Sequence, residues 1–168
     1  KCIDNYVLFR QGMATSDNNR FLRLWYEVLL TKENFNATDL RDAEQSNKKW
    51  FAYNKGGEYR KWYGNAEYVV NWENDGREMK AYTSTLTQGM NVRLKSREYY
   101  FKECISWSKI SSGNIAFRFY PEGFAFDVAG CCIFDTGDYK NYFLGLLNSQ
   151  LTVSLTKFLS PTLNYELD

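Results

Sequence analysis

The sequence predicts an α+β domain: a twisted, mostly antiparallel sheet with peripheral helices and a long C-terminal amphipathic helix. Three observations carry this. Short β-prone segments punctuated by turn signals dominate the middle of the chain. Apolar residues recur at sustained three- and four-residue spacing only near the C-terminus. The length, 168 residues, suits a single domain (1–168) that buries its core without disulfides or metals.

Residues 5–10 (NYVLFR) read as a short strand. In 21–30 (FLRLWYEVLL), the aromatics and Val28 favour a strand over a helix. TDLRDAEQSNK (38–48) reads as a surface helix, with Thr38 the candidate N-cap and Asp39 and Asp42 in its first turns. AEYVVNWE (66–73) is a strand, N-D-G at 74–76 a turn, and residues 77–82 start a helix. Residues 83–95 give no clear pattern. From 99 to 134 the text is repeatedly β, in YYFKECISW, NIAFRFYP and FAFDVAGCCIF, separated by S-S-G-N and P-E-G. Residues 138–159 read as one helix. Its stripe is Phe143, Leu146, Leu147, Leu151, Leu155, Phe158 and Leu159, with Asp138 capping its start and Pro161 ending it.

Composition excludes several chemistries. Histidine is absent, so the chain holds no Ser–His–Asp triad, Cys–His pair or His-ligated zinc. The cysteines are Cys2, Cys104, Cys131 and Cys132, without a C-x-x-C unit. They read as buried core thiols in a reducing, cytoplasmic setting. No apolar run approaches the roughly 18 residues a membrane helix needs. Net charge is only +1, so nucleic-acid affinity would have to come from local clusters. The opening Lys and the absence of a tail after SPTLNYELD suggest a piece excised from a longer protein.

One such cluster is KKWFAYNKGGEYRKWYGN (48–65). Lys48, Lys49, Lys55, Arg60 and Lys61 face only Glu58 in charge, and Trp50, Phe51, Tyr53, Tyr59, Trp62 and Tyr63 interleave them. Cations neutralise phosphates and aromatics pack on bases or sugars. The same text equally describes a surface hairpin anchored by its aromatics. In 100–119, Lys102, Lys109 and Arg118 lie among Ser106, Ser108, Ser111, Ser112 and Asn114, a mixture suited to phosphates and base edges. An ordinary two-stranded ribbon explains that segment better. In 12–21, Asp17, Asn18 and Asn19 could bind a ligand, but a turn is the stronger reading. No carboxylate pair suggests glycosidase or nuclease chemistry.

Four segments together resemble the target-recognition region of PglX-type adenine-specific DNA methyltransferases of BREX phage-defence systems. They are GMATSDNNRFLRLWYEV (12–28), KWFAYNKGGEYRKWYGNAEYVVNWENDG (49–76), ISWSKISSGNIAFRFYPEGFAFDVAG (105–130) and LLNSQL followed by LSPTLNYE (146–166). More loosely, they resemble the specificity domains of type IIG restriction–modification enzymes. Where that family usually reads T-G-D-N, this chain has Thr15-Ser16-Asp17-Asn18, so a positive φ at position 16 is not expected. Residues 83–98 match no pattern of the family.

The resemblance implies a division of labour. S-adenosylmethionine and methyl transfer belong to a separate domain of the parent, marked by Asn-Pro-Pro, a motif absent here. This fragment is then expected to bind no cofactor, hold no catalytic residue and bind no metal. Its implied work is to grip duplex DNA and present an adenine for flipping. Its partners would be double-stranded DNA, the parent's methyltransferase domain and other phage-defence proteins, with no membrane. From residue type and the resemblance, Lys48, Lys49, Lys55, Arg60 and Lys61 are expected on phosphates. Asn54, Asn65, Lys109, Ser111, Ser112 and Arg118 are expected at base edges or in a groove. The alternative is a carbohydrate- or protein-binding module that uses its aromatics as platforms.

Overall fold

The structure, a computed structural model, describes residues 7–110 and 113–159. It is α+β with mostly antiparallel pairing, but two sheets replace the single predicted one. The first runs β1 (Leu8–Arg10), β9 (Gly130–Phe134), β6 (Cys104–Ser108), β7 (Phe117–Tyr120), all antiparallel. The second centres on β4 (Trp50–Asn54). Its one edge pairs antiparallel with β5 (Tyr68–Asn71), which in turn pairs with β2 (Leu22–Leu24). Its other edge is shared end to end by two short parallel strands, β3 (Glu33–Asn34) and β8 (Phe124–Phe126).

Alternation along the strands gives the first sheet two buried faces. Cys104, Tyr120, Cys132 and Phe134 join the aromatic core shared with the second sheet. Ile105, Trp107, Phe117, Cys131 and Ile133 form a second cluster, covered by Phe143, Leu144 and Leu147 of α5 (Lys140–Leu147). That double burial explains why Gly-Cys-Cys-Ile-Phe is apolar throughout. In the main core the Tyr100 ring lies 5.2 Å from Trp72 and 5.4 Å from Phe126, both edge-on. Each such contact contributes about 0.5–1.5 kcal/mol beyond area burial. Cys104, Cys131 and Cys132 are buried free thiols, as expected, and Cys2 lies outside the described residues. The hydrogen bond to Cys132, together with burial, pushes the Cys104 thiol well above its ordinary range.

Several elements differ from expectation. The strand of 21–30 stops at Leu24, and Trp25–Glu27 and Leu30–Lys32 form 3-10 turns. Helix α2 (Leu40–Gln45) is capped by Asp39, whose carboxylate accepts from the Asp42 N–H; Thr38 instead donates to the Asp42 carboxylate. The N-D-G turn is real: Asn74, Asp75 and Gly76 have φ of 52°, 56° and 66° at the start of α3 (Glu73–Ser84). Part of the unassigned stretch forms α4 (Gly89–Arg93).

The C-terminal helix is two helices, α5 and α6 (Gln150–Leu159). Asn148 divides them. Its side chain is buried on the edge of β7, where Oδ1 accepts from the Phe117 N–H at 3.1 Å and Nδ2 donates to the Phe117 carbonyl at 2.8 Å. The amide thus substitutes for a neighbouring strand, and the chain turns there. The predicted stripe is therefore not continuous: Leu146, Leu151, Leu155 and Phe158 are exposed. Asp138 is not the cap, since Tyr139 holds that position without a side-chain hydrogen bond. Pro161 lies outside the described residues.

Ser16 also departs from expectation, with φ of 62° despite not being glycine. Next to it, Asp17 caps the single turn α1 (Asn18–Phe21) by accepting from the Arg20 N–H. A non-glycine residue in the left-handed region is strained by about 1 kcal/mol. Ser16→Gly is expected to raise stability by about 0.5–1 kcal/mol, moving the thermal midpoint up by about 1–4 °C. A melting curve by circular dichroism measures it, and an unchanged or lower midpoint would contradict the strain.

Candidate nucleic-acid interface

The loop between β4 and β5, residues 55–67, carries the basic and aromatic text, and it is held closely. Asn54 at the end of β4 is fully buried between the two sheets. Its Nδ2 donates to Ser106 Oγ at 2.7 Å, and its Oδ1 accepts from the Gly56 N–H at 3.1 Å. Gly56 has φ of 76°, and a Cβ there would stand 2.8 Å from the Ala129 carbonyl oxygen, so the turn needs glycine. Ser108 Oγ donates to the Gly57 carbonyl at 2.7 Å.

Beyond Gly57, three buried side chains bind the loop backbone. Arg118 is 1% exposed, and its Nη1 donates to the carbonyls of Glu58 and Arg60, both at 3.4 Å, while Nη2 donates to Ser108 Oγ at 2.9 Å. Asn65 Nδ2 donates to the Glu58 carbonyl at 2.9 Å. Tyr120 OH donates to the Gly64 carbonyl at 2.9 Å. The Trp62 backbone then pairs with the edge of β7: Trp62 N–H donates to the Phe117 carbonyl at 3.0 Å, and Phe119 N–H to the Trp62 carbonyl at 2.9 Å.

Three of the residues expected at base edges are thus buried. Asn54, Asn65 and Arg118 direct their polar groups onto the loop frame and away from solvent. Outside them stand Lys55, Tyr59, Arg60, Trp62 and Tyr63, with Trp62 49% and Tyr63 79% exposed. Lys55 Nζ lies 5.2 Å from the Tyr68 ring centre. Arg60 meets Glu67 at 3.6 Å in a pair whose side chains are half exposed, worth little in water. Lys61 Nζ donates to the Asn148 carbonyl at 2.7 Å, which ties the loop to the helix break. Lys109 follows Ser108 and its N–H donates to the Ala129 carbonyl, so it falls at the same end of the molecule as Gly56. Ser111 and Ser112 lie outside the described residues.

Lys48 and Lys49 do not join this group. They precede β4 and Lys55 follows it, a separation of roughly 20 Å at the usual rise of a strand. Lys48 Nζ donates to the Thr31 carbonyl at 2.6 Å, and Lys49 lies 3.8 Å from the Glu73 carboxylate. Contiguity in sequence concealed this, because a strand carries its two ends apart.

Residues that charge counting does not pick out border this loop. Asn18, Asn19, Arg23, Glu27 and Tyr68 line an open cavity of about 560 Å³ beside Lys55. Arg23 lies within one of the apolar-rich strands, and only pairing of β2 with β5 brings it near Lys55. Of these residues the sequence signalled only the two asparagines. Among the described residues no cluster of three His, Cys, Asp or Glu could hold a metal, and no helix is long and apolar enough to cross a membrane.

No protein-family model matches the chain. It is, however, homologous to a segment of two adenine-specific methyltransferases. It is 37% identical over 166 residues to adenine-specific methyltransferase PglX of Lacticaseibacillus casei (strain Zhang), covering 98% of this chain and 14% of that protein. It is 34% identical over 159 residues to adenine-specific methyltransferase BrxX of Escherichia coli O9:H4 (strain HS), covering 92% of this chain and 12% of that protein. The chain thus spans about one seventh or less of the curated relatives it matches.

Proposed function

We propose that this chain is the DNA-recognition part of an adenine-specific methyltransferase that acts in phage defence. Homology to one segment of such enzymes along nearly the whole chain supports this. The observation that carries the DNA-binding role is the rigid loop whose frame is internal and whose exposed side is cationic and aromatic. Bound S-adenosylmethionine supplies the methyl group, and the parts of the relatives beyond this segment would hold it. This chain's own residues grip the duplex. Lys55, Arg60, Lys61 and Lys109 neutralise phosphates, while Tyr59, Trp62 and Tyr63 pack on sugars or on bases displaced from the stack. The working location is cytoplasmic, where the DNA to be modified lies. A pre-formed loop suits this work, because little conformational entropy is lost on binding.

Fluorescence anisotropy of the chain with duplex DNA, titrated with salt, tests the proposal. Affinity is expected to fall steeply with salt, with a slope of about −0.9 per phosphate contact. Arg60→Gln is expected to lower that slope by about one unit and to weaken all sequences alike. Lys48→Gln is expected to leave it unchanged, since Lys48 lies at the far end of β4. A chain that bound no duplex at low salt would overturn the reading, and a glycan array would then test the aromatic residues as sugar platforms.

A further inference from the structure

We infer that the cavity beside Lys55 receives one nucleotide of the DNA, with its phosphate on Lys55 and its base edge on Asn18 and Asn19. The inference rests on the DNA-binding reading and adds a specific reading site to it. The cavity, about 560 Å³, falls within the roughly 300–1,000 Å³ typical of ligand sites. It opens where β2, β5 and the end of β4 meet, and Lys55 belongs both to it and to the basic loop. A strand of DNA lying on the loop would therefore pass its mouth.

The charges in the lining favour an anion. Arg23 is oriented by its own neighbourhood: Nη1 donates to the Asn19 and Leu22 carbonyls at 2.5 and 2.6 Å, and the guanidinium lies 5.8 Å from the Trp50 ring centre. No carboxylate pairs with it among the described residues. Glu27, the one acid of the lining, is turned onto the backbone, accepting from the Leu24 N–H at 2.7 Å. Lys55 is therefore the cation of the lining that faces its Tyr68 wall, while Arg23, held on two carbonyls and the Trp50 ring, adds its positive charge from the rim.

The amides supply a base reader. Asn18 Oδ1 accepts from Thr15 Oγ1 at 2.5 Å, which fixes the amide and leaves its NH2 group as a donor. Asn19 is exposed, and its side-chain amide has no protein partner among the described residues. An asparagine amide offers one donor beside one acceptor, the complement of the adenine N6 and N7 edge. The Tyr68 ring, beneath Lys55, forms an aromatic wall of the same cavity.

Selection of bound duplexes from a randomised pool tests this, using the chain and two variants. The chain itself is expected to prefer certain sequences. Asn19→Ala is expected to lose roughly ten-fold or more of the discrimination at one A·T position, with the other positions and the salt slope unchanged. Lys55→Gln is expected to weaken every sequence and lower the slope by about one unit. Asn19 is exposed, so its variant should melt like the parent. If Asn19→Ala retains every preference, or if the chain binds without any preference, the inference is wrong while the DNA-binding reading stands. If the chain binds no duplex, the underlying reading falls first.

Discussion

Arg118→Ala is expected to lower the unfolding free energy by about 2–4 kcal/mol, through lost packing and carbonyls left without donors. Arg118 is almost fully buried, yet no carboxylate pairs with it among the described residues. Its partners are the carbonyls of Glu58 and Arg60 and the hydroxyl of Ser108, and Nε has none. Burying an unpaired charge is costly, which offsets part of what those bonds contribute. Arg118→Met separates the two effects. It keeps most of the volume and removes both the charge and the donors, so it should retain more stability than alanine. Both variants should release the loop, and trypsin should then cut after Lys55, Arg60 or Lys61 faster than in the parent chain. Denaturant midpoints and timed proteolysis read the two consequences. If the alanine variant kept both the midpoint and the cleavage rate, Arg118 would not be the anchor of the loop.

Gly12→Ala is expected to cost about 3 kcal/mol or more, at the upper end of overpacking effects. A Cβ at Gly12 would stand 1.8 Å from the Phe126 carbonyl oxygen. That carbonyl accepts from the Met13 N–H at 2.8 Å, and the Val128 N–H donates to the Met13 carbonyl at 3.0 Å. The segment therefore runs hard against the end of β8, and backbone atoms on both sides prevent relief by a rotamer change. Room for the methyl group requires β8 to shift along β4, which would disturb Asn54, since the Asp127 N–H donates to the Asn54 carbonyl at 2.9 Å. A urea titration followed by tryptophan fluorescence gives the loss. A change below about 1 kcal/mol, as expected for an ordinary surface glycine, would contradict the close approach.

Some of the candidate site was readable before the fold was known. The segment 48–65 declared itself by charge and aromatics, and its exposed members Tyr59, Arg60, Trp62 and Tyr63, with half-buried Lys55, are where a loop would place them. Residue type did not reveal that Asn54, Asn65 and Arg118 are buried in the loop frame. Each is a polar group suited to a base edge, but an interior loop frame needs the same donors, and only burial separates the two uses. Sequence proximity misled at Lys48 and Lys49, because β4 intervenes. The C-terminal pattern misled because helical spacing persists across Asn148, and no local signal announces that its amide pairs with β7. The glycine missing at position 16 suggested an ordinary backbone, yet Ser16 itself takes the left-handed turn, with φ of 62°.

The sequence by itself determined the class of fold, the buried thiols, the N-D-G turn, the exclusion of histidine chemistry and the kinship with a segment of adenine-specific methyltransferases. These follow from local turn preferences, from composition and from long runs of matching residues. Tertiary structure alone decided that two sheets form, that one is buried on both faces, and which polar side chains face inward. It alone brought Arg23 and the two asparagines beside Lys55. The reason is physical: a side chain's burial, and therefore whether its hydrogen bonds are spent inside or offered outside, depends on strand pairing between residues distant in the chain.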